Sequence, residues 1–269
     1  LRIERGCGIV ALGGGVVGDL AGFAAATYLR GLPYIQVPTS LLAQVDSSVG
    51  GKTGVDHKAG KNLIGAFYQP AAVLSELAAL GSLPDRHFRA GLAEVVKHAA
   101  IADPRLFGFL EKNAAKVLRR ESRTMAHVVA VNCRVKARIV EADERELGVR
   151  QILNFGHTLG HAIEVLAGYS NRLYHGEAVA IGMAAAARLS LAAGYCKEKE
   201  VDRLTALMGR FGLPTSMRKV PERRALRRAL EHDKKTRKGR PKFVLMRGIG
   251  KVSPGYEVSP EMWAPALAG

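Results

Sequence analysis

GIVALGGGVVGDLAGFAAATYLRG, Gly8 to Gly31, decides the fold. Its first part, GIVALGGG, is a short apolar run ending in glycines. The rest, VVGDLAGFAAATYLRG, has helical periodicity and stops at Gly31. A strand that passes through glycines into a helix opens an α/β unit. Within it, Gly13, Gly15 and Gly18 match G-x-G-x-x-G. Glycines at that spacing let the backbone approach a pyrophosphate, and the helix N-terminus favours anionic oxygens. A tight strand–helix turn without a ligand is the plainer reading. The acidic residue that a dinucleotide fingerprint carries about twenty positions later is absent; Gln36 and Thr39 stand near that distance.

Outward from this stretch, YIQVPTS (34–40) reads as a second strand stopped by Pro38, and AAVLSEL (71–77) as a third. Between them, SVGGKTGVDHKAGKNLIGAFYQP (48–70) is too glycine-rich for a helix. From Leu83 the pattern changes to amphipathic helices: 83–102, then Pro104–Arg120, Ser122–Glu144, Gly156–Ala167, Gly176–Ala193 and Glu198–Phe211. No repeat of fixed period is present. The expectation is an α/β part over 1–82, Rossmann-like but not a standard half, and a helical part over 83–269.

The whole chain bounds the function. Its 269 residues suffice for two cores, and 48% hydrophobic with 24% charged residues is the composition of a folded, water-soluble protein. The longest apolar run, Ala178–Ala187, ends at Arg188 and is too short for a membrane span. LRIERGCG at the start has neither a signal-peptide core nor an initiator Met, so the expectation is a cytoplasmic protein whose N-terminus lies further upstream. Cys7, Cys133 and Cys196 are scattered without a CxxC, which argues against a disulfide framework or a thiolate zinc site. The formal charge of +16 favours anionic partners. Much of it lies in 217–242, where no interleaved aromatics suggest base stacking; a solvated basic helix face is expected there rather than a nucleic-acid site.

Three motifs carry chemistry. GGKT, Gly50–Thr53, resembles the end of a P-loop, but the first glycine of that loop would fall at Asp46. Lys52, Lys58 and Lys61 remain candidates for phosphate or carboxylate oxygens. In AGLAEVVKHAA, Glu94 shares a helix face with Lys97 and with His98. A carboxylate among Ala, Leu and Val is costly to bury unless it is paired or metal-bound. In ILNFGHTLGHAIE (152–164), His157 and His161 face the same way on a helix, a spacing that suits two zinc ligands. His175 offers a third imidazole, and Glu94 would complete an open His/carboxylate site. Spacing alone nominates His157 with His161 first; core histidines are the alternative.

Taken together, LGGGVVGDLAGFAAATYLRG, PTSLLAQVDSSVGGKTGVDHKAGKNLIGAFYQP, GLAEVVKHA, ILNFGHTLGHAIE, HGEAVAIGM and DKKTRKGRPKFVL, in that order over most of the chain, resemble the 3-dehydroquinate synthase family. The resemblance implies an N-terminal Rossmann-like α/β domain that binds NAD and a C-terminal helical domain that binds zinc or cobalt, in a cytoplasmic homodimer. It implies a lyase of the shikimate pathway that supplies aromatic amino acids. There 3-deoxy-D-arabino-heptulosonate 7-phosphate is transiently oxidised by NAD, loses phosphate by β-elimination, is reduced again and closes to 3-dehydroquinate by an intramolecular aldol step.

Matched by motif, the metal ligands would be Glu94, His157 and His175, which leaves His161 as a substrate or proton-relay residue. Gly14, Gly15, Val16, Asp19, Thr39, Ser40, Asp46, Lys52, Lys61, Asn62 and the segment Ala79–Ser82 would line the NAD site. Arg30, Lys52, Asn62, Lys97, Lys136, Arg150, Asn154, His161 and Lys234 would hold the substrate. The family also carries roughly another hundred residues ahead of VALGGG, so the expectation is an NAD domain that lacks its first part. The other readings are another sugar phosphate cyclase of valiolone or inosose type, a metal-dependent alcohol or glycerol dehydrogenase, and a truncated inactive fragment. Lys136, Asn154 and His161 suit a carboxylated substrate and favour the dehydroquinate branch. Glu94 stands where the dehydrogenases usually have Asp.

Overall fold

The computed structural model describes residues 3–57, 60–168, 170, 172–231 and 241–269, without the side chains of 60–62 and 231. Two compact units emerge. One comprises residues 1–91 and 120–145, the other 92–119 and 146–269. The units interleave along the chain, whereas the sequence pattern suggests two consecutive segments divided near residue 82.

In the first unit, β1 (Ile9–Gly13) leads into α1 (Gly15–Thr27) and then β2 (Tyr34–Pro38). β1 and β2 pair in parallel from Ile9↔Tyr34 to Gly13↔Pro38. Parallel neighbours need a crossover, and α1 provides it. α1 buries Gly18, Gly22 and Ala25, one small-residue face at helical spacing. A Cβ on Gly22 would lie 2.5 Å from Thr53 Cγ2, and one on Gly18 would lie 2.6 Å from Gln36 Oε1. The third glycine of the fingerprint therefore serves helix–strand packing, the role such a glycine has in dinucleotide-binding turns.

The glycine-rich stretch is an antiparallel hairpin. β3 (Lys52–His57) and β4 (Gly60–Phe67) pair with Gly54 opposite Gly65, where neither side has room for a side chain. The expected third strand shrinks to β5 (Ala72–Val73), which pairs in parallel with Ile35 and Gln36 and gives the sheet order β1-β2-β5. α4 (Ser122–Ala142) also belongs to this unit. It packs on the turn Ala43–Ser47, where Cys133 Sγ lies 3.2 Å from the Gln44 carbonyl oxygen.

α2 (Asp85–Ala102) contributes its residues from Leu92 onward to the second unit, followed by α3 (Pro104–Leu118). Then come α5 (His157–Leu166), α6 (His175–Ala192), α7 (Glu198–Arg210), α8 (Arg223–Glu231), the hairpin β6 (Phe243–Gly248)–β7 (Lys251–Tyr256), and α9 (Trp263–Ala268). α6 is alanine-rich and apolar all round, the pattern of a central helix; every residue from Ala178 to Ala187 is buried. Leu159, Ile163, Ile181, Leu189, Phe243 and Trp263 share one core around it. In α8, Leu226, Ala229 and Leu230 are buried, while Arg223, Arg224, Arg227 and Arg228 are exposed. The basic run is thus, as far as it is described, a solvated face on an amphipathic helix. No helix among the described residues is long and apolar enough to cross a membrane.

Candidate functional site

The second unit gathers Glu94, Lys97, His157, His161 and His175. Glu94 and Lys97, one turn apart on α2, are 0% and 2% exposed and form an ion pair. Neither Glu94 oxygen accepts a hydrogen bond of regular geometry. A bare carboxylate pays heavily for such burial, so two oxygens with so little compensation point to a further cation.

The imidazoles supply the rest of the cup. His157 and His175 are the first residues of α5 and α6. The chain enters α5 through Gly156, which is left-handed at φ 80°. α6 is capped by Glu177, whose Oε2 accepts from the Tyr174 N–H at 2.9 Å. The two helix starts meet because a Cβ on Gly182 would fall 1.9 Å from the Gly156 carbonyl oxygen, and one on Gly160 would fall 3.0 Å from that of Ala178. Glycine alone allows backbone contact this close.

The outcome is a convergent set. Glu94 Oε1 lies 3.7 Å from His157 Nε2 and 3.7 Å from His175 Nε2. Two ligands about 2.1 Å from one tetrahedral ion stand about 3.4 Å apart, so the three atoms are placed almost as a zinc-type ion needs them. The ring nitrogens of His157, His161 and His175 also lie within 4.8 Å of one another. Distance alone therefore keeps a three-histidine set open beside Glu94/His157/His175. The Nδ1 atoms face away from the cup: that of His157 is 3.1 Å from the Phe155 carbonyl oxygen, and that of His175 is 3.0 Å from Glu164 Oε2. Burial pulls the His175 pKa down, but the Glu164 hydrogen bond and the charges of Glu94 and Glu164 outweigh it, and the net shift is upward. Two neighbouring carboxylates thus favour the protonated imidazole, and a metal ion at Nε2 would compete with that proton.

Arg150 and Asn154 sit on the short 3-10 stretch Val149–Asn154 just before Gly156. Arg150 is 2% exposed. Asn154 Nδ2 donates to Glu146 Oε1, and Glu146 has a positive φ of 60°, a strained position for a non-glycine residue. Lys234 lies outside the described residues. Sequence reasoning missed Glu146 and Glu164. For Glu164 a signal was present: a carboxylate in an apolar helical run, as for Glu94.

The first unit carries the glycine turn. Gly14 and Gly15 face Ser40 and Ser47, with Val16 83% exposed at the helix start. The Thr39 N–H donates to the Gly13 carbonyl oxygen at 2.9 Å, which closes the turn against the end of β2. Asp46 accepts from Lys136 Nζ at 2.6 Å. Asp19 stands near both. Burial raises its pKa to about 6; Lys136 opposes that shift, while Asp56 and Asp46 add to it. Lys52 and Arg30 are exposed, and Ser82 donates to the Ala79 carbonyl oxygen. The side chains of Lys61 and Asn62 and the whole of Lys58 lie outside the described set.

Comparison with known proteins covers most of the chain. Residues 1–90 match the family description "3-dehydroquinate synthase N-terminal" and residues 91–236 match "3-dehydroquinate synthase C-terminal". The 3-dehydroquinate synthase of Pelobacter propionicus is 58% identical over 248 residues, which cover 92% of this chain and 68% of the relative. Among solved structures, the 2-epi-5-epi-valiolone synthase of Streptomyces hygroscopicus, with NAD+ and Zn2+ bound, is 32% identical with a TM-score of 0.88; the match covers 96% of this chain and 71% of that one. A 2-deoxy-scyllo-inosose synthase complexed with carbaglucose-6-phosphate, NAD+ and Co2+ is 28% identical with a TM-score of 0.89, covering 98% and 74%.

Proposed function

The chain belongs to the 3-dehydroquinate synthase family, and on that footing we propose that it converts 3-deoxy-D-arabino-heptulosonate 7-phosphate to 3-dehydroquinate and inorganic phosphate. The observation that carries the reading is the buried Glu94 carboxylate set 3.7 Å from the Nε2 atoms of both His157 and His175. Those three residues would hold Zn2+ or Co2+. Gly14, Gly15, Val16, Asp19, Thr39, Ser40, Asp46, Lys61 and Ser82 would hold NAD. When bound, the two groups supply transient oxidation and re-reduction of the substrate and polarisation of its oxygens.

The chain's own residues have the remaining work. The substrate carries a phosphate dianion and a carboxylate, so several cations are needed to hold it. Lys97, Arg150 and Asn154 of the second unit would meet its carboxylate and hydroxyls, as would Lys136, Arg30, Lys52, Asn62 and Lys234 its remaining charge. Lys97 already balances Glu94 in a site that excludes water, and there its charge acts at low dielectric. His161 is only half-buried and its ring lies 5.2 Å from that of His157. It would pass a proton between the substrate's reacting hydroxyl and solvent. The proposal extends to a homodimer working in the cytoplasm.

The test is phosphate release from the heptulosonate phosphate with NAD and zinc added, followed alongside absorbance for NADH. Phosphate released without lasting NADH is the expected result. NADH accumulating in step with substrate would make the chain a dehydrogenase and overturn the reading.

A further inference from the structure

Both metal-facing histidines expose Nε2 to Glu94, yet their Nδ1 atoms are tied to different acceptors. His157 Nδ1 meets a neutral backbone carbonyl at 3.1 Å, whereas His175 Nδ1 meets the Glu164 carboxylate at 3.0 Å. Glu164 is 6% exposed, on the same helix as His157 and two turns further on, so α5 carries one ligand and the support of another. A second buried carboxylate beside Glu94 is electrostatically costly. An apolar residue would fill that place in the core at less cost, so packing does not account for it.

We propose that Glu164 is a positioning residue of the metal centre. It accepts the Nδ1–H of His175, fixes that imidazole as the Nδ1–H tautomer with the Nε2 lone pair aimed at the Glu94 carboxylate, and makes it a stronger donor through its charge. A carboxylate behind a ligating histidine characteristically has this effect. The inference rests on the metal-centre reading above and adds to it the residue that sets the centre's affinity.

The test is zinc affinity of the full chain, stripped of metal by chelation and titrated against a chromophoric competitor. Glu164→Leu removes both acceptor and charge and is expected to weaken zinc binding by about 10- to 100-fold. Glu164→Gln keeps an acceptor oxygen but loses the charge, and is expected to fall between wild type and Glu164→Leu. In a His175→Ala background, where zinc no longer survives gel filtration and the residual weak binding is read at raised zinc concentration, Glu164→Leu should cause no further loss. Wild-type affinity in Glu164→Leu, with only the unfolding midpoint of the metal-free protein lowered, would make Glu164 a structural residue and overturn the proposal. A further loss in the His175→Ala background would also overturn it, because Glu164 would then act through another group. Should Glu164→Leu fail to fold, wild-type affinity in Glu164→Gln overturns it alone. If the wild-type chain itself binds no zinc, the metal-centre reading fails first and this inference falls with it.

Discussion

A side chain on Gly182 would put its Cβ 1.9 Å from the carbonyl oxygen of Gly156. The contact joins α6 to the residue just before α5, so it also sets the distance between His157 and His175, whose ring centroids are 5.6 Å apart. The neighbour here is backbone, which cannot swing aside. Gly182→Ala should therefore push the helices apart, at a cost of about 3 kcal/mol or more. It should weaken zinc binding as well. Gly108→Ala is the contrast: on α3, with nothing within 4 Å of the added Cβ, it should stabilise by about 0.5–1 kcal/mol. Urea midpoints of the metal-free variants, with a zinc titration of each, check both.

The ligand set separates by substitution. Glu94→Ala, His157→Ala and His175→Ala should each lose bound zinc together with activity, and prolonged chelation of the wild type should reproduce the loss, reversed by zinc or cobalt. His161→Ala should keep stoichiometric metal and lose rate. Atomic absorption after gel filtration reads the metal directly. If His161→Ala emerges without zinc while Glu94→Ala keeps it, the three histidines are the ligands.

Asp19 gives a pH signature. Its pKa is about 6 in the folded chain against an ordinary 3.8, with burial the main cause. Below 3.8 it is protonated folded and unfolded alike. Between 3.8 and 6 the unfolded chain gives up the proton first, so rising pH favours unfolding there, and above 6 the penalty is constant. At face value the shift corresponds to about 3 kcal/mol, but the residue is half-exposed and solvent screening reduces this to about 1 kcal/mol. Asp19→Asn should therefore stabilise the metal-free chain by about 1 kcal/mol at pH 7 and by nothing near pH 3.5. Denaturant midpoints across that range test it; an equal gain at both ends would place the effect elsewhere.

Much of this was legible in the residues, and the gaps have physical causes. The step from IVALG through glycines into α1 reads directly, because the signal is local. The five helices expected from Pro104 to Phe211 appear within a few residues of their expected bounds, since four have a clear apolar face and α6 is a long alanine-rich apolar run. The β3–β4 hairpin was hidden: glycines that mark a loop by propensity are here the condition for two backbones to lie close, as at Gly54 and Gly65. The return of α4 to the first unit depends on contacts across about ninety residues, such as Lys136 with Asp46, which no local pattern encodes. At the site, spacing picked out His157 with His161. Bringing His175 to His157 depends on the crossing of α5 and α6 at Gly156 and Gly182, and Glu94 reaches both from α2, which are tertiary facts.

Lys136 makes the last prediction. Its Nζ holds Asp46 Oδ1 at 2.6 Å, with side-chain exposures of 9% and 21%, and also donates to the Asp46 backbone carbonyl. Removing the cation strands a largely buried carboxylate, so Lys136→Met should destabilise by about 3 kcal/mol, while Asp46→Asn, which leaves the more adaptable partner, should cost less. Lys136 also opposes the upward shift of Asp19. In Lys136→Met the pH window over which Asp19 lowers stability should therefore extend above pH 6. A double-mutant cycle of Lys136→Met with Asp46→Asn, read by urea unfolding at pH 7, should show a coupling of about 1 kcal/mol or more. Simple additivity of the two substitutions would mean that Lys136 is held by other groups, and that its pairing with Asp46 does not fix the turn from Ala43 to Ser47.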